Sequence, residues 1–149
     1  MCDIIRKLPD DIIQYIIPFT YSLQSKELIN DIKSYFYGKK IVTSIYYGIW
    51  FDSYEENADK NWLINDLFSF ANDYKALMFG FTESFYTIFK RNIMLKKNEH
   101  KVTSYIVHLE NEKVDNQINI FWGIFTPEER EDFIEIANIK SIIKYNEII

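Results

Sequence analysis

The chain has 149 residues, enough for one domain with its own hydrophobic core. Its net charge of −5 argues against a general phosphate-binding surface, which needs clustered Lys and Arg. Cys2 is the only cysteine, so neither an internal disulfide nor a thiolate metal cage can form, and a reducing compartment is expected.

The N-terminus, Met-Cys-Asp-Ile-Ile-Arg-Lys, lacks the long apolar core of a signal peptide. No run of about 18 apolar residues follows, so no membrane span is expected. Leu8-Pro9-Asp10-Asp11 opens a first helix: proline suits the first turn, and the acids suit the positive end of the dipole. Ile12, Ile13, Ile16 and Ile17 form its apolar stripe, and Pro18 ends it. Ser25 is placed to cap a second helix with Leu28, Ile29, Ile32, Tyr35 and Phe36 at helical spacing, closed by Gly38. Ile41, Val42, Ile45, Tyr46, Ile49 and Trp50 predict a third helix, although the β-branched content also admits a strand.

Residues 51–59 read as a polar, acidic loop, and Asn57 within it is a candidate cap for a helix that buries Leu63, Ile64, Leu67, Phe68 and Ala71. Asn72-Asp73 interrupts the pattern. Tyr74, Leu77, Met78, Phe81, Phe85, Ile88 and Phe89 then build the longest stripe of the chain, which predicts a fifth helix running into basic residues. The segment 102–109 fits a helix through Val102, Tyr105, Ile106 and Leu109. The alternation Tyr105, Val107, Leu109 also fits a strand, and helix is the reading adopted. Val114, Ile118, Phe121, Trp122 and Phe125 are helical. Thr126-Pro127-Glu128-Glu129 is a capping box, with Thr126 as cap, Pro127 at the first helical position and Glu129 reaching back. Phe133, Ile134 and Ala137 follow as its buried face. The tail from Ile139 to Ile149 reads as a docked helix or short strand. The four glycines and three prolines leave few obligate breaks. The expected fold is a compact all-α single domain, residues 1–149, of about six to eight helices.

Chemistry-bearing patterns are sparse. His100 and His108 are the two histidines, eight apart, which is not the i, i+4 spacing of a helical zinc pair. Asp10/Asp11 and Glu128/Glu129 are explained by helix starts, and Glu55/Glu56 by a solvated loop. Neither a glycine-rich phosphate loop nor a Gly-x-Ser-x-Gly elbow is present. The expectation is a non-enzymatic protein with no cofactor and no metal. Lys90, Arg91, Lys96, Lys97 and Lys101 form the one basic cluster and, with Tyr86 and Phe89, carry a nucleic-acid alternative. Trp50, Trp62 and Trp122 are either core residues or interface anchors.

The string Leu8-Pro9-Asp10-Asp11-Ile12-Ile13-Gln14-Tyr15-Ile16-Ile17 resembles the first helix of an F-box, with Leu28 and Ile29 near the place of its second aliphatic pair. The resemblance implies an F-box-like N-terminal part, residues 1–50, followed by an aromatic-rich helical remainder, 51–149. It implies recruitment of a Skp1-like adaptor of a ubiquitin ligase through Leu8, Pro9, Ile12, Ile13 and Ile16. The blocks 17–28 and 121–130, the latter Phe-Trp-Gly-Ile-Phe-Thr-Pro-Glu-Glu-Arg, resemble small paralogous F-box-like proteins of giant nucleocytoplasmic DNA viruses. The abundance of Ile, Asn, Lys, Phe and Tyr, which have AT-rich codons, agrees with that source. The likeness implies action in the host cytoplasm, the viral factory or the virion. A host or viral protein is the expected partner. The alternative is a self-assembling, virion-associated protein with a homo-oligomer interface.

Overall fold

A computed structural model describes residues 11, 12, 24–52, 54–92 and 99–148. The fold is all-α. Six α-helices lie among the described residues: α1 (Lys26–Trp50), α2 (Ala58–Ala71), α3 (Glu83–Phe89), α4 (Glu99–Leu109), α5 (Val114–Ile124) and α6 (Pro127–Ile148), with a 3₁₀ turn at Leu77–Phe79. The chain divides into two compact units, Met1–Asn30 and Asp31–Ile149. In the first, Asp11 and Ile12 are helical and exposed. There Ser25 caps the start of α1 as its sequence position predicts, its Oγ accepting the Leu28 N–H at 3.1 Å.

The second unit holds the core. Val42 and Tyr46 of α1 meet Leu63, Leu67 and Ala71 of α2, Phe85, Ile88 and Phe89 of α3, and Val102, Ile106 and Leu109 of α4. Ile118, Phe121 and Trp122 of α5, then Phe125, Phe133 and Ala137, complete it. The high aromatic content is spent here. Phe81 stacks on Phe85 at 4.4 Å, Phe85 on Phe89 at 4.7 Å, and Phe89 meets Phe121 edge-on at 5.2 Å. Such pairs add about 0.5–1.5 kcal/mol each beyond the area they bury.

Three sequence expectations give way. Gly38 does not end a helix: α1 runs unbroken for 25 residues, through the segment that admitted a strand. Gly38 is there for contact, since a Cβ on it would lie 2.9 Å from Trp122 Cζ2 and 3.3 Å from Ile134 Cδ1. The Trp122 indole N–H donates to the Tyr35 carbonyl at 3.0 Å, which pins the ring against that turn. Nor is the stripe from Tyr74 to Phe89 one helix. Asp73 and Tyr74 adopt positive φ (51° and 58°), the 3₁₀ turn follows, and α3 starts only at Glu83. Asn57 sits at the start of α2 as expected, but in a left-handed conformation with no side-chain cap bond. The segment 102–109 is helical, and Ile139–Ile148 continues α6 without a break. The capping box forms as read: Thr126 Oγ1 accepts the Glu129 N–H at 3.2 Å, and Glu129 Oε2 accepts the Thr126 N–H at 2.8 Å.

Candidate partner-binding surface

Of the residues that the F-box resemblance selects, Leu8, Pro9, Ile13 and Ile16 lie outside the described ones. Ile12 is described and is 41% exposed. The other functional candidates from sequence are dispersed. His100 and His108 are both exposed on α4, and His108 Nε2 lies 4.0 Å from Glu112 Oε1. Eight residues along one helix separate them by about 12 Å of rise, so they cannot share a metal ion. Among the described residues no group of three or more His, Cys, Asp or Glu could hold one. In the basic cluster, Lys90 pairs with Glu99 at 2.9 Å and Arg91 pairs with Glu129. Lys96 and Lys97 lie outside the described residues, and Lys101 is exposed.

Arg91 is bound firmly. Its guanidinium donates to both oxygens of Glu129, the second at 2.7 Å, and to the Ile124 carbonyl at 3.0 Å. The bond to Glu129 holds the Arg91 pKa above its ordinary value. Burial works to raise the pKa of Glu129, but the hydrogen bonds from Arg91 and the Thr126 N–H, with the charges of Arg91 and Arg130, outweigh it. The carboxylate therefore sits below its usual range.

Large apolar side chains are exposed along α1 and the second half of α6. Phe36, Tyr37, Ile41 and Tyr47 stand exposed on the first, and Ile139, Ile142, Ile143 and Tyr145 on the second. Between the two helices runs a groove of about 430 Å³, lined by Ser44, Ile45, Gly48 and Ile49 on one side and Ser141, Ile142, Lys144 and Tyr145 on the other. A Cβ on Gly48 would meet nothing within 4 Å, so the floor is open there. At one end the groove adjoins a hollow of about 290 Å³ containing Trp50 and Trp62, whose rings stack with centroids 4.4 Å apart. The Lys144 ammonium lies 4.5 Å from the centre of the Trp50 ring. Asp66 closes this hollow, accepting hydrogen bonds from the Tyr46 hydroxyl and, at 2.8 Å, from Lys140. Burial, then the hydrogen bond to Asp66 and its charge, push the Tyr46 pKa up, so the phenol keeps its proton.

A second apolar display is the connection 72–82. Asn72 is fully buried and organises it: Nδ2 donates to the Lys75 carbonyl at 2.8 Å and Oδ1 accepts the Thr82 N–H at 2.8 Å. Leu77, Met78 and Phe79 project from this frame, Met78 being 84% exposed.

Trp122, one of three candidate anchors, is core, whereas Trp62 is exposed and Trp50 half-buried. Arg130 went unread in the sequence and is only 1% exposed. It donates to the Trp122 carbonyl at 2.9 Å, to the Asp31 carbonyl at 3.1 Å and to Asp31 Oδ1 at 2.7 Å. Its position three residues before Phe133 and seven before Ala137, on the same stripe, was the available signal. No protein-family model, curated protein or solved structure significantly matches the chain.

Proposed function

We propose that this protein is a non-enzymatic interaction module whose α1–α6 face docks another protein. The observation that carries the reading is the groove: walls of Ile45, Ile49 and Ile142, the exposed ring of Tyr145, and the small residues Ser44, Gly48 and Ser141. Exposed apolar residues scattered singly are ordinary, but a contiguous set lining a concavity marks a surface that gains by being covered. Hydrogen-bonded polar groups around it, such as Asp66 between Tyr46 and Lys140, hold the shape without a partner present.

The test is site-specific photocrosslinking in cells that express the full chain. A crosslinker at Ile142 or Tyr145 is expected to give adducts with a distinct protein, and one at Asp132, on the acidic first half of α6, is expected to give none. No adducts from any position, with a monomeric mass in solution, would overturn the reading. Adducts of the chain with itself at dimer mass would favour the self-assembling alternative.

Ile12 supports a second reading, recruitment of a Skp1-like adaptor in host cytoplasm or viral factory through the F-box-like segment, because a docking residue must be reachable. Ile12→Asp is expected to abolish adaptor capture while leaving the melting temperature unchanged. Capture that survives the substitution removes that reading.

A further inference from the structure

We infer that the occupant of the α1–α6 groove is an acidic amphipathic helix of a partner protein, an inference that rests on the interaction-module reading and specifies its chemistry. The chain has 22 carboxylates and 17 cations. Yet residues 32–50 of α1 contain Lys33, Lys39 and Lys40 with no carboxylate, and residues 136–146 of α6 contain Lys140 and Lys144 with none. Removing these five lysines leaves 12 cations against all 22 carboxylates elsewhere. Of these, Lys144 lines the groove itself, so this apolar concavity carries positive charge on an acidic protein. Lys39 donates to Asn119 and Lys140 to Asp66. Lys33, Lys40 and Lys144 form no ion pair among the described residues, and Lys40 flanks the hollow that extends the groove past Ile41.

Shape then selects among anionic partners. Small residues at the floor let another backbone come close, while Ile45, Ile49 and Ile142 offer walls for apolar side chains at helical spacing. A bilayer surface cannot enter a narrow concavity between two helices. Nucleic acid needs clustered Lys and Arg along its phosphates, and of the cations here only Lys144 lines the groove, with Lys40 beside its extension. A second copy docked through the same face would set the lysines against their own counterparts, because a two-fold interface pairs a patch with itself. A second copy offering the acidic half of α6 fails differently: of the apolar residues there, Phe133 and Ala137 are buried and Ile134 and Ile136 half-buried, which leaves no exposed apolar stripe. Carboxylates flanking an apolar stripe answer both the lysines and the walls.

The experiment is selection of a displayed library of helical peptides, about five turns long, on the full-length protein, followed by fluorescence anisotropy of the enriched sequences. The library carries no charge bias. Enriched peptides are expected to bear net negative charge flanking an i, i+3, i+4, i+7 apolar stripe. Their binding should weaken at least about tenfold in the Lys40→Glu, Lys144→Glu double variant and weaken as salt rises. Gly48→Gln fills the floor where nothing lies within 4 Å, and it should remove binding without lowering the melting temperature. Neutral or basic winners, no enrichment, or winners indifferent to Gly48→Gln would overturn the proposal. So would binding to phosphatidylserine vesicles with no peptide enriched, which would assign the face to membranes. Partner adducts at Ile142 without acidic preference would leave the interaction module standing and remove only the acidic helix.

Discussion

Gly38 and Gly48 occupy the same helix and do opposite things. Glycine in a helix interior costs roughly 0.5–1 kcal/mol relative to alanine. At Gly38 that cost is offset by the approach of Trp122, whose ring is buried and tied to Tyr35 and so cannot retreat. Gly38→Ala is expected to destabilise by about 1–2 kcal/mol, since overpacking of this kind outweighs the propensity gain. Gly48→Ala has open space and should stabilise by about 0.5–1 kcal/mol. Urea denaturation of the two variants separates them by sign. Arg130 presents the sharper case. Its removal leaves the Trp122 carbonyl and the inner side of Asp31 without their donor. Arg130→Met should cost about 2–4 kcal/mol, Asp31 being half-exposed and able to recover some hydration. Arg130→Lys should recover little, because a single ammonium cannot reach carbonyls on two helices with a fixed fork. Chemical denaturation of the two variants, with ring-current shifts of Trp122 as a local reporter, checks both.

Helix boundaries follow the same logic one level up. The capping box at Thr126 was legible because its bonds are local: cap, proline and glutamate lie within four residues. The second role of Glu129, pairing with Arg91 across 38 residues, was not, because no spacing rule reaches that far. With its pKa held below the ordinary value, the Glu129 carboxylate stabilises the fold at pH above the usual glutamate range. That contribution is lost as pH falls through the depressed value, because the unfolded chain takes up the proton first. Glu129→Gln is therefore expected to lower stability at pH 7 and to narrow the gap to the parent as acid is added, measured by urea melts from neutral to acidic pH. The stripe from Tyr74 to Phe89 misleads for a related reason. Periodicity records which residues are apolar but not whether the backbone between them is free to be helical. Asn72 engages Lys75 and Thr82, and two residues with positive φ turn the chain away. Asn72→Ala should cost about 1–3 kcal/mol and release the Thr82 amide to hydrogen exchange, since its buried partners would be left unsatisfied.

For the whole molecule, the all-α class was legible from scarce breakers and repeated stripes, and the core of α2 through α6 largely agrees with them. The groove was hidden by those same stripes. Ile41, Ile45 and Ile49 belong to the same apolar run as Val42 and Tyr46, and an apolar helix side reads as core wherever it points. Only packing separates the turns that face α5 from those that face outward. The lysine-only stretches were visible in the sequence, but their meaning depends on α1 and the end of α6 being neighbours. The charge asymmetry also governs bulk behaviour: ionic strength should alter partner binding far more than it alters the melting temperature, a contrast that titrations and thermal melts at two salt concentrations resolve.

The paired indoles of Trp50 and Trp62, 4.4 Å apart beneath the Lys144 ammonium, also make the protein optically legible. Of its three tryptophans, Trp122 is sealed in the core and emits from a dry site, while the stacked pair is partly wet. Tryptophan fluorescence of this chain is therefore expected to have two components of different origin. The redder one belongs to the mouth of the groove, so an occupant would announce itself there without any label.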